Sequence, residues 1–310
     1  MSFSTNIKEE ITRNDINPID SLIELSAYIR YSSQIKNNTI ILTMENASVA
    51  RRIYKDIKQN FGVNIHIIVR IQKRFRVKQI YILEINEKVD TILEALNIYK
   101  DGKKVLPNEC YLENLEEKKA FLKGAFLSCG SINDPSTSGY HLEFTTNYKN
   151  EGILLKELLS AFSISSKIIK RSNKYMTYVK SSEMISDLIK LLGATNSFFY
   201  FEDIRIYRDH KNMVNRLNNC EIANQEKTLK TGLRQLEDIN YLRENDLIDL
   251  LDENVQEAIH YREAYPETSL SELADIISTE TGRKIGKSGI NHYFIKIKKL
   301  VERHKNNKKE

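Results

Sequence analysis

Asn291 and His292, followed by Ile295, Lys296 and Lys299, bring hydrogen-bonding, aliphatic and cationic side chains onto or near one side of a C-terminal segment. At about 100° per residue the same segment gathers Ile290, Phe294, Ile297 and Val301 into a separate apolar stripe, the core side of a helix. The polar side has the chemistry a major groove reads. Asparagine can pair bidentately with adenine, histidine can donate to guanine or phosphate, and isoleucine can touch a thymine methyl. Lys287-Ser288 is expected to open the helix, with Ser288 as N-cap and backbone amides turned outward beside Lys287 as a phosphate site. Tyr293 and Lys298 complete the expected DNA-contacting set.

Such a helix needs a partner to hold it. Ser269-Leu270-Ser271-Glu272 has the capping-box form and opens a preceding helix with Leu270, Leu273, Ala274 and Ile277 on its apolar side. Gly282 and Gly286 then break the chain, so the pair reads as a helix-turn-helix. Its connection, taken as Ser278–Lys287, is longer than the usual three- to four-residue turn. Charge supports the reading: residues 237–282 hold thirteen acids against two bases, a balance of −11, whereas residues 283–310 hold ten bases against two acids, a balance of +8. A basic end after an acidic stretch suits a module that meets phosphates in one orientation.

The rest of the composition mainly excludes. Cys110, Cys129 and Cys220 match no metal-ligand spacing or disulfide framework and read as buried thiols. No metal and no cofactor is expected. No apolar run reaches the ~18 residues of a membrane helix, and the opening residues lack the apolar core of a signal peptide, so a cytoplasmic protein without a membrane partner is expected. With 310 residues, 41% of them hydrophobic, the chain suits two cores.

The first core is built by duplication. A small-residue-rich helix over residues 22–33 and another over 121–131 are each followed by an alternating strand, Thr39–Met44 and Tyr140–Thr145. A helical pattern ending in Phe61-Gly62 or Phe162-Ser163 follows in each copy. Two strands come next, Val63–Arg70 with Gln79–Ile85 and Ile164–Arg171 with Met176–Ser181, then a short closing helix. Two αββαββα units, about 19–100 and 115–205, result. Ala27, Ser32, Ser33, Gly124, Ser128 and Gly130 are expected to let the leading helices approach closely.

Leu122-Lys123-Gly124-Ala125-Phe126-Leu127-Ser128-Cys129-Gly130 resembles the LAGLIDADG helix of homing endonucleases. The resemblance implies a saddle fold and a metal-binding acid before the last glycine of each copy, but here those positions carry Ser32 and Cys129, which offer magnesium no hard anionic oxygen at neutral pH. Asp134 is a turn residue before Pro135 rather than a displaced ligand. Each copy has a basic inter-strand turn, with Lys73, Arg74, Arg76 and Lys78 in one and Lys170, Arg171 and Lys174 in the other. Phosphate contact and simple solubilisation of hairpin tips both fit these turns.

The segment from Asn212 to Lys227, with Gln235 and Ile239 beyond it, resembles the inter-domain segment of the bacterial WhiA family. The opening Ser2-Phe3-Ser4, Tyr140-His141-Leu142-Glu143-Phe144 and Lys287-Ser288-Gly289-Ile290-Asn291-His292 also match that family's pattern, in order and over essentially the whole chain. The resemblance implies a degenerate LAGLIDADG domain followed by a helix-turn-helix, acting in sporulation gene control, cell division or chromosome segregation. It also implies an arginine where this chain has Tyr293, so a base contact is lost and Tyr293 is left to reach phosphate.

The expected fold is α+β: a saddle domain over 1–208, a helical linker over 209–235 and an all-α helix-turn-helix domain over 236–310. The expected function is a non-enzymatic, nucleoid-associated regulator that binds double-stranded DNA, with RNA polymerase or another transcription or division factor as a further partner, and a monomer in solution. A division adaptor that hardly uses DNA and a metal-dependent nuclease are the rival readings.

Overall fold

The computed structural model describes residues 2–15, 17–72, 78–107, 111–137 and 139–307, with the Lys78 side chain also left out. The chain divides between Arg208 and Asp209 into two compact units.

The first unit repeats one plan twice. Helix α1 (Phe3–Arg13) leads into α2 (Pro18–Ser32), β1 (Ser33–Lys36), β2 (Thr39–Met44), α3 (Ala47–Phe61), β3 (His66–Gln72), β4 (Lys78–Ile85) and α4 (Val89–Ala95). A two-stranded ribbon, β5 (Tyr99–Lys100) with β6 (Lys103–Lys104), leads to the second copy. That copy comprises α5 (Leu115–Cys129), β7 (Gly130–Ile132), β8 (Leu142–Thr146), α6 (Lys149–Ser160), β9 (Lys167–Arg171), β10 (Lys174–Val179) and α7 (Ser182–Leu191). The sheets have matching orders, β1-β2-β4-β3 and β7-β8-β10-β9. The αββαββα duplication is therefore real.

Period-two alternation explains the sheets. Ile40, Leu42 and Met44 of β2, and Leu142 and Phe144 of β8, are buried against the helices, while their neighbours face away. Gly62 and Ser163, with φ of 63° and 61°, turn the chain in the left-handed region after α3 and α6, the second helix of each αββαββα unit.

The leading helices differ from the expected spans. Asn17 caps α2 and Asn114 caps α5 through a capping box with Glu117, so both begin earlier than their apolar runs. Both also stop sooner, because Ser33 and Gly130 have extended backbones and start the short strands β1 and β7, which the sequence pattern does not disclose. Gly124 alone shows why the helices need small residues: a Cβ there would lie 2.0 Å from the Glu24 carbonyl oxygen and 3.0 Å from the Ala27 Cβ. Gly130 has a different role from the one expected, since its Cβ would strike the Phe126 ring of its own helix at 2.4 Å.

Helix α8 (Thr195–Glu244) crosses the boundary between the units and runs through Gly232 without a break. The second unit adds a short 3-10 turn at Ile248–Leu250, then α9 (Glu253–Ala264), α10 (Leu270–Thr281) and α11 (Lys287–Asn307). Its core joins Ile239 and Leu242 to Val255, Ile259, Leu273, Ala274 and Ile277, and to Ile290, Phe294, Ile297 and Val301. Gly232 is small because the turn after α9 comes close: a Cβ on it would meet the Pro266 carbonyl oxygen at 2.4 Å.

Candidate nucleic-acid interface

The helix-turn-helix is assembled from local bonds. Ser269 Oγ accepts from the Glu272 amide at 3.2 Å, and the Glu272 carboxylate accepts from the Ser269 amide at 2.7 Å, which holds its pKa below the usual carboxylate range. Helix α10 continues to Thr281, where Gly282 takes a φ of 69° as its C-cap. The connection is therefore only Gly282–Gly286, shorter than the span expected from sequence. Polar residues near the end of α10 were read as loop, yet Ser278 and Thr281 satisfy their hydroxyls on the carbonyls of Ala274 and Ile277. Ser278 Oγ also accepts from the Ile285 amide at 3.0 Å and clamps the turn.

Ser288 is not the N-cap. Lys287 is already helical and the Ile290 amide donates to the Gly286 carbonyl at 3.2 Å, so Gly286 precedes the helix and Ser288 lies in its first turn. Ile290, Phe294, Ile297 and Val301 are the buried stripe. Opposite them Ser288, His292, Lys296 and Lys299 are exposed, and Ile295 is 41% exposed despite its aliphatic side chain. These five share the outer face.

The other members of the expected set sit apart. Lys287 is exposed at the helix start, while Asn291 lies on a flank, over a groove of about 590 Å³ that Ile295 and Lys298 share with Lys227, Lys230 and Arg234 of α8. Lys298 is 3.6 Å from Glu302, and Lys296 is 2.9 Å from Asp252, so both cations already have an acid. Tyr293 is half-buried against the core. Arg283 is bound by Asn254 and Glu257. Arg303, one turn beyond Lys299, is exposed on the outer face and was missed by the sequence reading, although its i+4 spacing from Lys299 is the available signal. The α8 cations were missed because their segment reads only as a connector.

In the first unit, Ser32 Oγ donates to the Tyr28 carbonyl at 2.6 Å. Burial pushes the Cys129 thiol up to about 12, so it is neutral near pH 7. Lys8 of α1 reaches the same region, its ammonium 5.8 Å from the Phe126 ring centre and its pKa lowered by burial. Among the described residues no group of three histidines, cysteines or acids is placed to hold a metal ion. Asp134 accepts from the Ser136 amide and hydroxyl at 2.9 and 2.6 Å, bonds that lower its pKa and account for it as a turn residue.

The basic turns are only partly described. Lys73, Arg74 and Arg76 lie outside the described residues, as does the Lys78 side chain. Lys170, Arg171 and Lys174 are all exposed, but the register separates them: Arg171 pairs with Lys174, while Lys170 pairs with Tyr175 on the opposite, helix-covered side. Of these three, Arg171 and Lys174 point from the open face of the sheet.

Comparison with known proteins supplies names for both units. Residues 18–99 match the WhiA N-terminal LAGLIDADG-like domain, 118–211 the WhiA LAGLIDADG-like domain and 214–301 the WhiA C-terminal HTH domain. Probable cell division proteins WhiA from Bacillus cereus (strain B4264) and Bacillus mycoides (strain KBAB4) are each 38% identical over 309 residues, covering 98% of this chain and 97% of theirs. The crystal structure of full-length DUF199/WhiA from Thermatoga maritima is similar in fold, with a TM-score of 0.58 and 24% identity over 98% of this chain and 99% of that one. A structure of the N-terminal LAGLIDADG domain of DUF199/WhiA covers 62% of this chain and 90% of its own at 23% identity, with a TM-score of 0.50.

Proposed function

The chain belongs to the WhiA family, and from that premise we propose that it binds double-stranded DNA through the outer face of α11 and acts as a regulator in cell division. One observation carries this reading. Ser288, His292, Ile295, Lys296 and Lys299 share an exposed face on a helix whose opposite stripe is fixed in a core. The face is basic, hydrogen-bonding and rigidly held, as groove recognition requires. The local positive balance over 283–310 supports association with the nucleoid.

Roles in chromosome segregation or transcription control, and a contact with RNA polymerase or a division factor, are part of the same proposal. The saddle unit serves as a binding scaffold without cleavage chemistry, since a serine and a neutral thiol stand at the positions of the metal-binding acids. The internal duplication favours a monomer. The relatives are probable cell division proteins, which supports the cellular assignment.

Fluorescence anisotropy of the full chain with a duplex selected from random sequence, against a scrambled duplex, tests the reading. Tight, salt-sensitive binding with a preference for the selected duplex is expected. Absence of binding to either duplex at low salt would sink it and favour a protein adaptor.

A further inference from the structure

Beside the groove, within the same unit, lies a second cavity of about 520 Å³, bounded by α8, the turn between α9 and α10, and the first residue of α11. Lys227 and Thr228 reach it from α8, Arg262 and Ser269 from α9 and the turn, and Lys287 from α11. Among the described residues no carboxylate lines it.

Arg262 makes the cavity unusual. Its side chain is 1% exposed, and one terminal nitrogen donates to the carbonyls of Tyr265, Pro266 and Thr268 at 3.2, 3.4 and 2.7 Å. Its Nε is buried with no hydrogen-bond partner, and burial is the one influence on its pKa, which falls. The carbonyls satisfy one terminal nitrogen and the Phe294 ring faces the guanidinium at 5.5 Å, but among the described residues no acid pairs with it, and a buried charge without a counter-ion is a costly state that a bound anion would relieve. Lys227 and Lys287 are exposed at the rim, and neither forms an ion pair with a described residue. Ser269 Oγ accepts the Glu272 amide and so keeps its own hydrogen to donate.

We propose that this cavity binds a phosphate group, with the Lys227 and Lys287 ammonium groups and the Thr228 and Ser269 hydroxyls on its oxygens and the Arg262 charge behind them. Ammonium and hydroxyl donors match the oxygens of a phosphate at charge-assisted hydrogen-bond distance. The phosphate has two sources, a backbone phosphodiester of a duplex lying along α11 or a free polyphosphate-bearing molecule. The first rests on the reading of α11 given above, whereas the second does not.

The test uses the full chain and its Lys227→Gln/Lys287→Gln variant, with Lys211→Gln, an exposed lysine of α8 outside the cavity, as the control for general charge loss. Arg262 is left intact because its carbonyl bonds hold the turn. Titration calorimetry with sodium pyrophosphate should show binding to the wild type and to Lys211→Gln, and a loss of about tenfold or more in the double variant. Duplex titrations over a salt series then separate the sources. If the phosphate is a backbone one, the double variant lowers the slope of log affinity against log salt by about two units and pyrophosphate competes with duplex. If it is free, the slope is unchanged and duplex and pyrophosphate bind together. No pyrophosphate binding by the wild type, or equal binding by the double variant, overturns the proposal. Failure of every form to bind duplex would instead count against the DNA-reading role of α11 and leave the pyrophosphate result standing.

Discussion

His292, Lys299 and Arg303 stand on one exposed face of α11 and should divide its work between reading bases and holding phosphate. His292→Ala should cost roughly 1–3 kcal/mol on a selected site and little on scrambled DNA, as base-edge contacts do. Lys299→Gln and Arg303→Gln should weaken both duplexes alike and each lower the salt slope by about one unit, whereas Lys298→Gln should change less, because Glu302 already holds that ammonium. Competitive titration at several salt concentrations checks all of these. A different residue sets the pH response. Burial, with Asp56 adding to it and Arg52 opposing, pushes the Glu24 carboxyl up to about 7 beside the crossing of α2 and α5. The folded state then binds a proton that the unfolded state has released, so stability falls as pH rises from about 4.5 to 7. Glu24→Gln should flatten that part of the stability profile in urea melts. An unchanged slope would show that Glu24 is ionised in the fold.

Helices and strands carry the next set of consequences. Gly124→Ala places a methyl 2.0 Å from the Glu24 carbonyl oxygen, so α2 and α5 must separate and roughly 1–3 kcal/mol or more is lost, visible as a lowered Tm. Ser278→Ala removes the clamp on the turn between α10 and α11 and leaves the Ile285 amide without its partner, a loss of about 1–2 kcal/mol confined to the second unit. Elements were legible in the sequence where one face is apolar throughout. The stripes of α3, α7, α10 and α11 and the alternation of β2 and β8 all read directly. The elements that escaped have weaker local signatures. β1 and β7 are short and follow helices without a glycine-proline turn, whereas α8, expected as a helical linker over 209–235, extends past both bounds because its many exposed apolar residues, including Ile206, Met213, Leu217 and Leu233, form no periodic stripe that marks its start or end. The cap expected at Ser288 lies two residues past Gly286, which precedes the helix and supplies no side chain to announce its start.

On the scale of the whole chain, the duplication and the order of the two units were legible, because both depend on residue order alone. The burial of Arg262, the Lys8 ammonium beside Cys129 and the α8 cations facing Asn291 were not, because each depends on contacts between segments distant in sequence. The first unit has its own core, which includes Phe198 and Phe201 from the start of α8. A fragment ending at Arg208 should therefore unfold cooperatively in urea, and a broad, non-cooperative transition would show that it depends on the second unit. The central claim, that the exposed face of α11 reads DNA sequence, is tested most directly by one titration. His292→Ala and wild-type protein are each measured against a selected and a scrambled duplex at one salt concentration. The account predicts a loss of roughly ten- to a hundredfold on the selected duplex and almost none on the scrambled one, and equal losses on both would contradict it.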